Sequence, residues 1–235
     1  RTPIYEKVSK AETHIFQSFV GWEIETYQQI ENPSTCRLMD FEVEQDGFTQ
    51  FMYVLPFSSN KALVELTRFG SEILNESEAA QQLKEYIQKH FGEFKKLSVE
   101  IGCIPMSNAK IINEKLKDVI SLGARNYKVK PSTGYAFKNM YEQACELVDF
   151  LINLKKPKEL NVQHVNALQG RFAFYDSLLL HILQHKPHTG KKIFQSLFKG
   201  VEINTVLRFL DQKTSFPEEI MIFMKLPWKP FIYAL

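Results

Sequence analysis

The chain has 235 residues, 44% hydrophobic and 13% aromatic, with a formal charge of +2. That length supports one large domain or two small ones around a substantial core. The near-neutral charge argues against a nucleic-acid partner, which needs a concentrated basic face. Cys36, Cys103 and Cys145 are odd in number, far apart and form no CxxC pair. Neither a disulfide framework nor a zinc knuckle is expected, and a reducing compartment fits. No signal-peptide pattern is present, and no apolar run approaches the ~20 residues that span a bilayer. The polar opening RTPIYEKVSK, without an initial Met, reads as a chain cut from something longer, or processed.

The first hundred residues read as strands. IFQSFVGWEIETYQQI (15–30) is rich in β-formers, and ENPST (31–35) is a turn. CRLMDFEVE (36–44) is a second strand candidate, turned at QDG (45–47). In FMYVLPFSSNKALVELTRFG (51–70) two apolar runs flank a polar turn and predict a hairpin. Phe51, Tyr53 and Leu55 share one face; Leu63, Glu65, Thr67 and Phe69 share another, with Ala62, Val64 and Leu66 opposite. NESEAAQQLKEYIQKHFG (75–92) has helical spacing, an Asn or Ser cap and Gly92 as its stop. KKLSVEIGCIPM (95–106) returns to strand, for a mostly antiparallel sheet with one crossing helix.

The segment 118–154 reads as a short apolar strand, a polar loop and a helix entered through KPSTGY (130–135). From about residue 158 onward the chain reads as helical, over 162–185, 191–200, 201–212 and 217–226. LPWKPFIYAL (226–235) is aromatic, and its two prolines argue against a regular helix. Three regions result: 1–117 as an antiparallel-sheet region, 118–157 as a returning strand and helix, and 158–235 as a helical tail. The predicted fold class is α+β.

Three places carry chemistry. Glu65 sits inside an apolar run. An isolated strand carboxylate is ordinarily solvated, but a carboxyl walled in by Leu63, Val64, Leu66 and Phe69 has its pKa raised and stays protonated near neutral pH. A Pro-Ser-Thr-Gly turn opening a helix presents backbone N–H groups and the positive dipole end to an anion; the plainer reading is an N-cap by Ser132 or Thr133. His181 and His185, spaced i,i+4, match a metal pair only in spacing, so no metal site is expected. In the tail, Phe, Leu, Ile and Met alternate with Lys, and Trp228 beside Lys229 suits a membrane interface, with core packing as the alternative.

Six segments together, FVGWEIE (19–25), LMDF (38–41), YVLPFSSNKALVELTRF (53–69), IPM (104–106), KPSTGYAF (130–137) and LRFLDQKTS (207–215), resemble the flavin-dependent lycopene cyclases, in particular the bacterial β-cyclase branch. They occur in the family's order over nearly the whole chain. The resemblance implies a two-part FAD-dependent, glutathione-reductase-like flavoprotein. No GxGxxG cluster of its Rossmann unit exists here, so the ADP-binding half is expected upstream of Arg1 and the isolated fragment is expected to be inactive. The stretch before KPSTGY, GARNYKV (123–129), departs from the family's small, glycine-rich one.

The resemblance further implies that Glu65 is the essential acid, protonating a terminal double bond of lycopene so that the end closes to a β-ring without net redox change. Separately from the resemblance, a cation in an apolar pocket needs stabilising and aromatic faces can do so; Phe51, Tyr53, Phe57 and Phe69 lie nearby in sequence, but ordinary core packing is the stronger reading for each singly and none is named as a site. By the resemblance, Gly123, Pro131, Ser132, Thr133 and Gly134 become contacts to reduced FAD, with NAD(P)H as electron source. The substrate comes from lipid, which implies a cytoplasmic protein peripheral to the inner membrane. Asp40 and Asp211 match family-like positions with a structural role. Two rival readings are a related isoprenoid reductase or monooxygenase, which consumes NADPH, and a non-catalytic binding module for apolar ligands.

Overall fold

The computed structural model describes residues 12–111, 120–153 and 170–235. Its described residues fall into two compact units, and the division does not follow the three consecutive regions read from the sequence. One unit comprises Ile15–Pro105 and Ile182–Ser196; the other comprises the described parts of Arg1–His14, Met106–His181 and Leu197–Leu235.

The first unit is a five-stranded sheet in the order β2-β3-β4-β1-β5. β1 (His14–Thr26), β3 (Thr49–Pro56) and β4 (Lys61–Gly70) are long; β2 (Arg37–Asp40) is short. The predicted second strand, 36–44, ends early because Met39 takes a left-handed φ of 52° and the register against β3 shifts between Arg37 and Asp40. That interrupts the ladder. The β3–β4 hairpin forms as the alternation predicts, with Tyr53 opposite Glu65 and Phe51 opposite Thr67. On the other side of β4, β1 pairs antiparallel and places Gly21 opposite Glu65. β5 (Phe94–Ser107) is the largely exposed edge strand.

α1 (Glu76–Phe91) crosses one face of the sheet. Asn75 caps it by accepting from the Glu78 N–H, and Gly92 ends it at a φ of 74°. Its apolar stripe, Ala79, Leu83, Tyr86 and Ile87, packs on Val20, Trp22, Ile24, Met52, Val54, Ala62, Val64 and Leu66. These are alternate residues of three strands, so period-2 and period-3.6 patterns meet in one core. The opposite sheet face therefore carries Glu65. At one end of that face Phe51 and Phe69 join Phe41 and Phe194 in a buried aromatic cluster. Thr49 donates to the Pro187 carbonyl at 2.5 Å, tying the 182–196 segment to the sheet.

In the second unit a 3-10 turn (Gly123–Asn126) precedes α2 (Phe137–Ile152). Of the short strand expected in this region, residues 118–119 lie outside the described residues and Ile120–Leu122 are not strand. α3 (Arg171–His185) follows the described Gly170; residues 162–169 of the predicted long helix lie outside the described residues. The end of α4 (Gly190–Gly200), whose residues up to Ser196 belong to the first unit, and the short helices α5 (Ile203–Leu210) and α6 (Phe216–Lys225) follow. Leu197, Val206, Leu210 and Ile222 form their core, with Tyr135, Phe209 and Phe223 packed on it.

Pro227 and Pro230 do not prevent helix at the C-terminus. α7 (Trp228–Ile232) forms with Pro227 as its N-cap and Pro230 in the first turn, where the missing N–H has no intrahelical partner to lose. Among the described residues, no helix is long and apolar enough to cross a membrane.

Candidate functional site

Glu65 lies mid-sheet on β4, flanked by β1 and β3. Its side chain is partly buried. On β3, Tyr53 is its direct cross-strand partner, and Phe51 meets both the Tyr53 and Phe69 rings edge-on, with centroids 5.1 and 5.2 Å apart. Of the four aromatic residues named from the sequence, Phe51, Tyr53 and Phe69 form this connected wall. Phe57 lies beyond the end of β3 and is 56% exposed.

The acid has two polar neighbours. The Thr67 hydroxyl donates to Glu65 Oε1 at 2.5 Å. The Glu100 side chain reaches in from β5 over Gly21, the residue opposite Glu65. It has room there because β1 carries no side chain at Gly21. A Cβ there would stand 2.8 Å from Glu100 Cγ and 2.9 Å from its Oε1. Burial pushes the Glu65 carboxyl up to about 7; the Thr67 hydrogen bond pulls it down, and the nearby Glu100 pushes it up again. Near neutral pH a substantial fraction of Glu65 is therefore a carboxylic acid, able to give up a proton.

Gly21 and Glu100 escaped the sequence reading. A lone glycine inside a strand pattern signals close approach of another group, but which group occupies the gap is a matter of strand order.

The 130–135 turn belongs to the second unit. Lys130 Nζ lies 2.7 Å from Asp176 of α3, and both side chains are almost wholly buried. The Ser132 hydroxyl donates to the same carboxylate at 2.5 Å. The Thr133 and Gly134 N–H groups both return to the Lys130 carbonyl. Neither Ser132 nor Thr133 caps the helix: α2 begins only at Phe137, with Ala136 at its N-cap and no side-chain cap. Pro131 is partly buried, and Gly134 takes a φ of 71°. Gly123 has a φ of 62°, and its N–H donates to Gln143 Oε1 of α2. The Thr133 hydroxyl is buried with no protein partner. Five residues named from the sequence thus gather around the entry to one helix, and one of them offers an unused buried hydroxyl.

Asp40 and Asp211 serve their own units. Asp40 accepts from the Tyr86 hydroxyl at 2.6 Å and from the Glu42 N–H at 2.9 Å. Asp211 pairs with Lys138 of α2. Cys36, Cys103 and Cys145 are free thiols. Among the described residues, no three His, Cys, Asp or Glu side chains converge as metal ligands.

The family model described as "Lycopene cyclase protein" matches residues 2–235, and the chain belongs to the lycopene cyclase family. It is 30% identical over 167 residues to a lycopene beta-cyclase from a Paracoccus species, an alignment covering 68% of this chain and 40% of that protein. The chain thus spans well under two thirds of that relative's length. Among solved structures, a geranylgeranyl bacteriochlorophyll reductase-like protein from Thermoplasma acidophilum aligns with 97% of this chain and 56% of its own, at 14% identity and a TM-score of 0.49.

Proposed function

We propose that the protein takes part in lycopene β-cyclisation, with Glu65 as the proton donor. The observation that carries this reading is the position of Glu65: a carboxyl raised to about 7, mid-sheet beside the Phe51–Tyr53–Phe69 wall. A proton moves from the carboxyl to the terminal double bond of the ψ-end, forming a C–H bond and a tertiary cation. The neighbouring double bond closes on that cation, and loss of a ring proton leaves the β-ring. One proton enters and one leaves, so no reductant is consumed. The aromatic faces stabilise the cation by ~0.5–2 kcal/mol each.

The residues of the 130–135 turn fit a polar cofactor edge. The buried, unpartnered Thr133 hydroxyl is a group such a ligand would satisfy, and Gly134 keeps its backbone open to approach. Gly123, Pro131, Ser132, Thr133 and Gly134 would contact FAD, used reduced, with NAD(P)H as the electron source. Reduced FAD held by these residues would supply negative charge. Lys130, Ser132 and Asp176 hold the turn in shape.

A peripheral contact with the inner membrane on its cytoplasmic side forms part of the proposal. Trp228, Ile232, Tyr233 and Leu235 expose large apolar area beside the solvent-facing Lys225 and Lys229. Amphipathic segments of this make-up lie in a lipid interface.

The test is pigment analysis in lycopene-producing cells that express the full-length protein carrying this sequence, as wild type and as Glu65→Gln. Wild type is expected to make β-carotene, and the variant to leave lycopene, a loss of about 10²–10⁴-fold. Unchanged lycopene with the wild type would overturn the substrate. Stoichiometric loss of NADPH would instead indicate a reductase or monooxygenase. Cyclisation by both proteins would remove Glu65 from the chemistry.

A further inference from the structure

The carboxyls that meet through the gap at Gly21 come from strands that are not adjacent. β4 carries Glu65, β1 carries the glycine, and β5 carries Glu100. The two acids have different surroundings. Glu65 is partly buried beside aromatic rings, whereas Glu100 stands on the exposed edge strand. The Glu100 side chain occupies the space left by Gly21, directly across from Glu65, so the outer acid stands between the inner one and solvent. A proton released from the inner acid can therefore be replaced from water through the outer one.

We infer that Glu100 is the positioning residue for Glu65, holding its carboxyl through the Gly21 gap in the acid form and passing it a proton from solvent after each turnover. The inference rests on the proposed role of Glu65. Its proton balance closes. Glu65 gives one proton to the substrate and takes one from Glu100, Glu100 takes one from water, and the ring returns one to water.

The other ionisable groups on this face are less well placed to do this. Tyr53 is the β3 neighbour of Glu65. Glu23 accepts from the Ser98 hydroxyl at 2.9 Å, one pair further along β1. Lys61 lies 3.8 Å from Glu25, at the far end of β4. A Cβ at Gly102 on β5 would overlap the Phe19 ring, so the glycine lets Phe19 lie across the strand two residues from Glu100.

The test uses the full-length protein and reads Glu65 directly. The infrared carbonyl band of a protonated carboxyl is assigned to Glu65 by its loss in Glu65→Gln, and its titration midpoint is then followed. In Glu100→Gln and Glu100→Asp the midpoint is expected to fall by about one pH unit, a tenfold change in proton affinity. The alkaline limb of the cyclisation rate should move with it, and Glu23→Gln should leave both in place. An unmoved midpoint in Glu100→Gln overturns the inference, as does an equal shift in Glu23→Gln, which would reflect charge spread over the face. The infrared readout is independent of turnover. If Glu65→Gln still cyclises lycopene, the proposed role of Glu65 fails, whatever the midpoint does.

Discussion

Lys130 and Asp176 form an ion pair with Nζ and Oδ1 2.7 Å apart, and the side chains are only 4% and 5% exposed. The pair joins the 130–135 turn to α3. Because the Ser132 hydroxyl donates to the same carboxylate, one aspartate sets the conformation of the turn. Removing a single partner leaves a buried charge uncompensated, which costs about 3–5 kcal/mol. Asp176→Ala is therefore expected to lower the urea midpoint sharply. Lys130→Met combined with Asp176→Leu should recover most of that loss, because no lone charge remains. A double variant as unstable as the single one would show that the carboxylate's hydrogen bond to Ser132, not the charge balance, dominates.

Glu65 makes stability depend on pH. Its folded pKa lies near 7, above the ordinary glutamate value of 4.5. The folded state thus binds more protons than the unfolded chain between those values. The stabilising contribution is fully present below about 4.5 and is lost as pH rises through about 7. With the partial exposure of the group discounted, the loss is on the order of 2 kcal/mol. Chemical denaturation of wild type between pH 5 and 8 should show this decline, and Glu65→Gln should flatten it.

Glu219 is fully buried on α6 and accepts from Arg171, Tyr175 and Thr214. Burial raises its pKa, but the Arg171 hydrogen bond and the other donors outweigh this and leave it lowered. Glu219→Ala strands those donors and is expected to destabilise by about 2–4 kcal/mol. Thermal unfolding measures it. The wild-type pair should weaken on acidification, since a lowered carboxyl pKa contributes stability that is lost as pH falls through the folded value.

Asn75 caps α1 through its side-chain oxygen, 3.0 Å from the Glu78 nitrogen. Asn75→Ala should cost about 1 kcal/mol, and Asn75→Asp close to nothing. Both are read as shifts in the denaturant midpoint at unchanged slope.

For the lipid contact, Trp228→Ser and Ile232→Ser are expected to reduce cosedimentation with vesicles containing anionic lipid, while far-UV circular dichroism stays unchanged. Undiminished binding would place the contact elsewhere. The two side chains are 64% and 57% exposed, so their loss should leave the core intact.

The amino-acid sequence by itself determined the local elements and the acid. Alternation in 51–70 specified the β3–β4 hairpin and which residues share a face with Glu65, because strand side chains repeat every second residue. Asn75 and Gly92 marked both ends of α1. The motif set carried the family. Tertiary structure decided what local signals cannot encode. Residues 182–196 group with the sheet although they come almost eighty positions after it, since packing partners are chosen by complementary faces and not by order in the chain. Ser132, a reasonable helix cap by sequence, turns to Asp176 of another helix. Glu100, an ordinary edge-strand glutamate by pattern, meets Glu65 only because β5 joins β1 and β1 has no side chain at Gly21. Strand order and the space left by one missing Cβ are long-range properties, and they set the environment of the proposed proton donor.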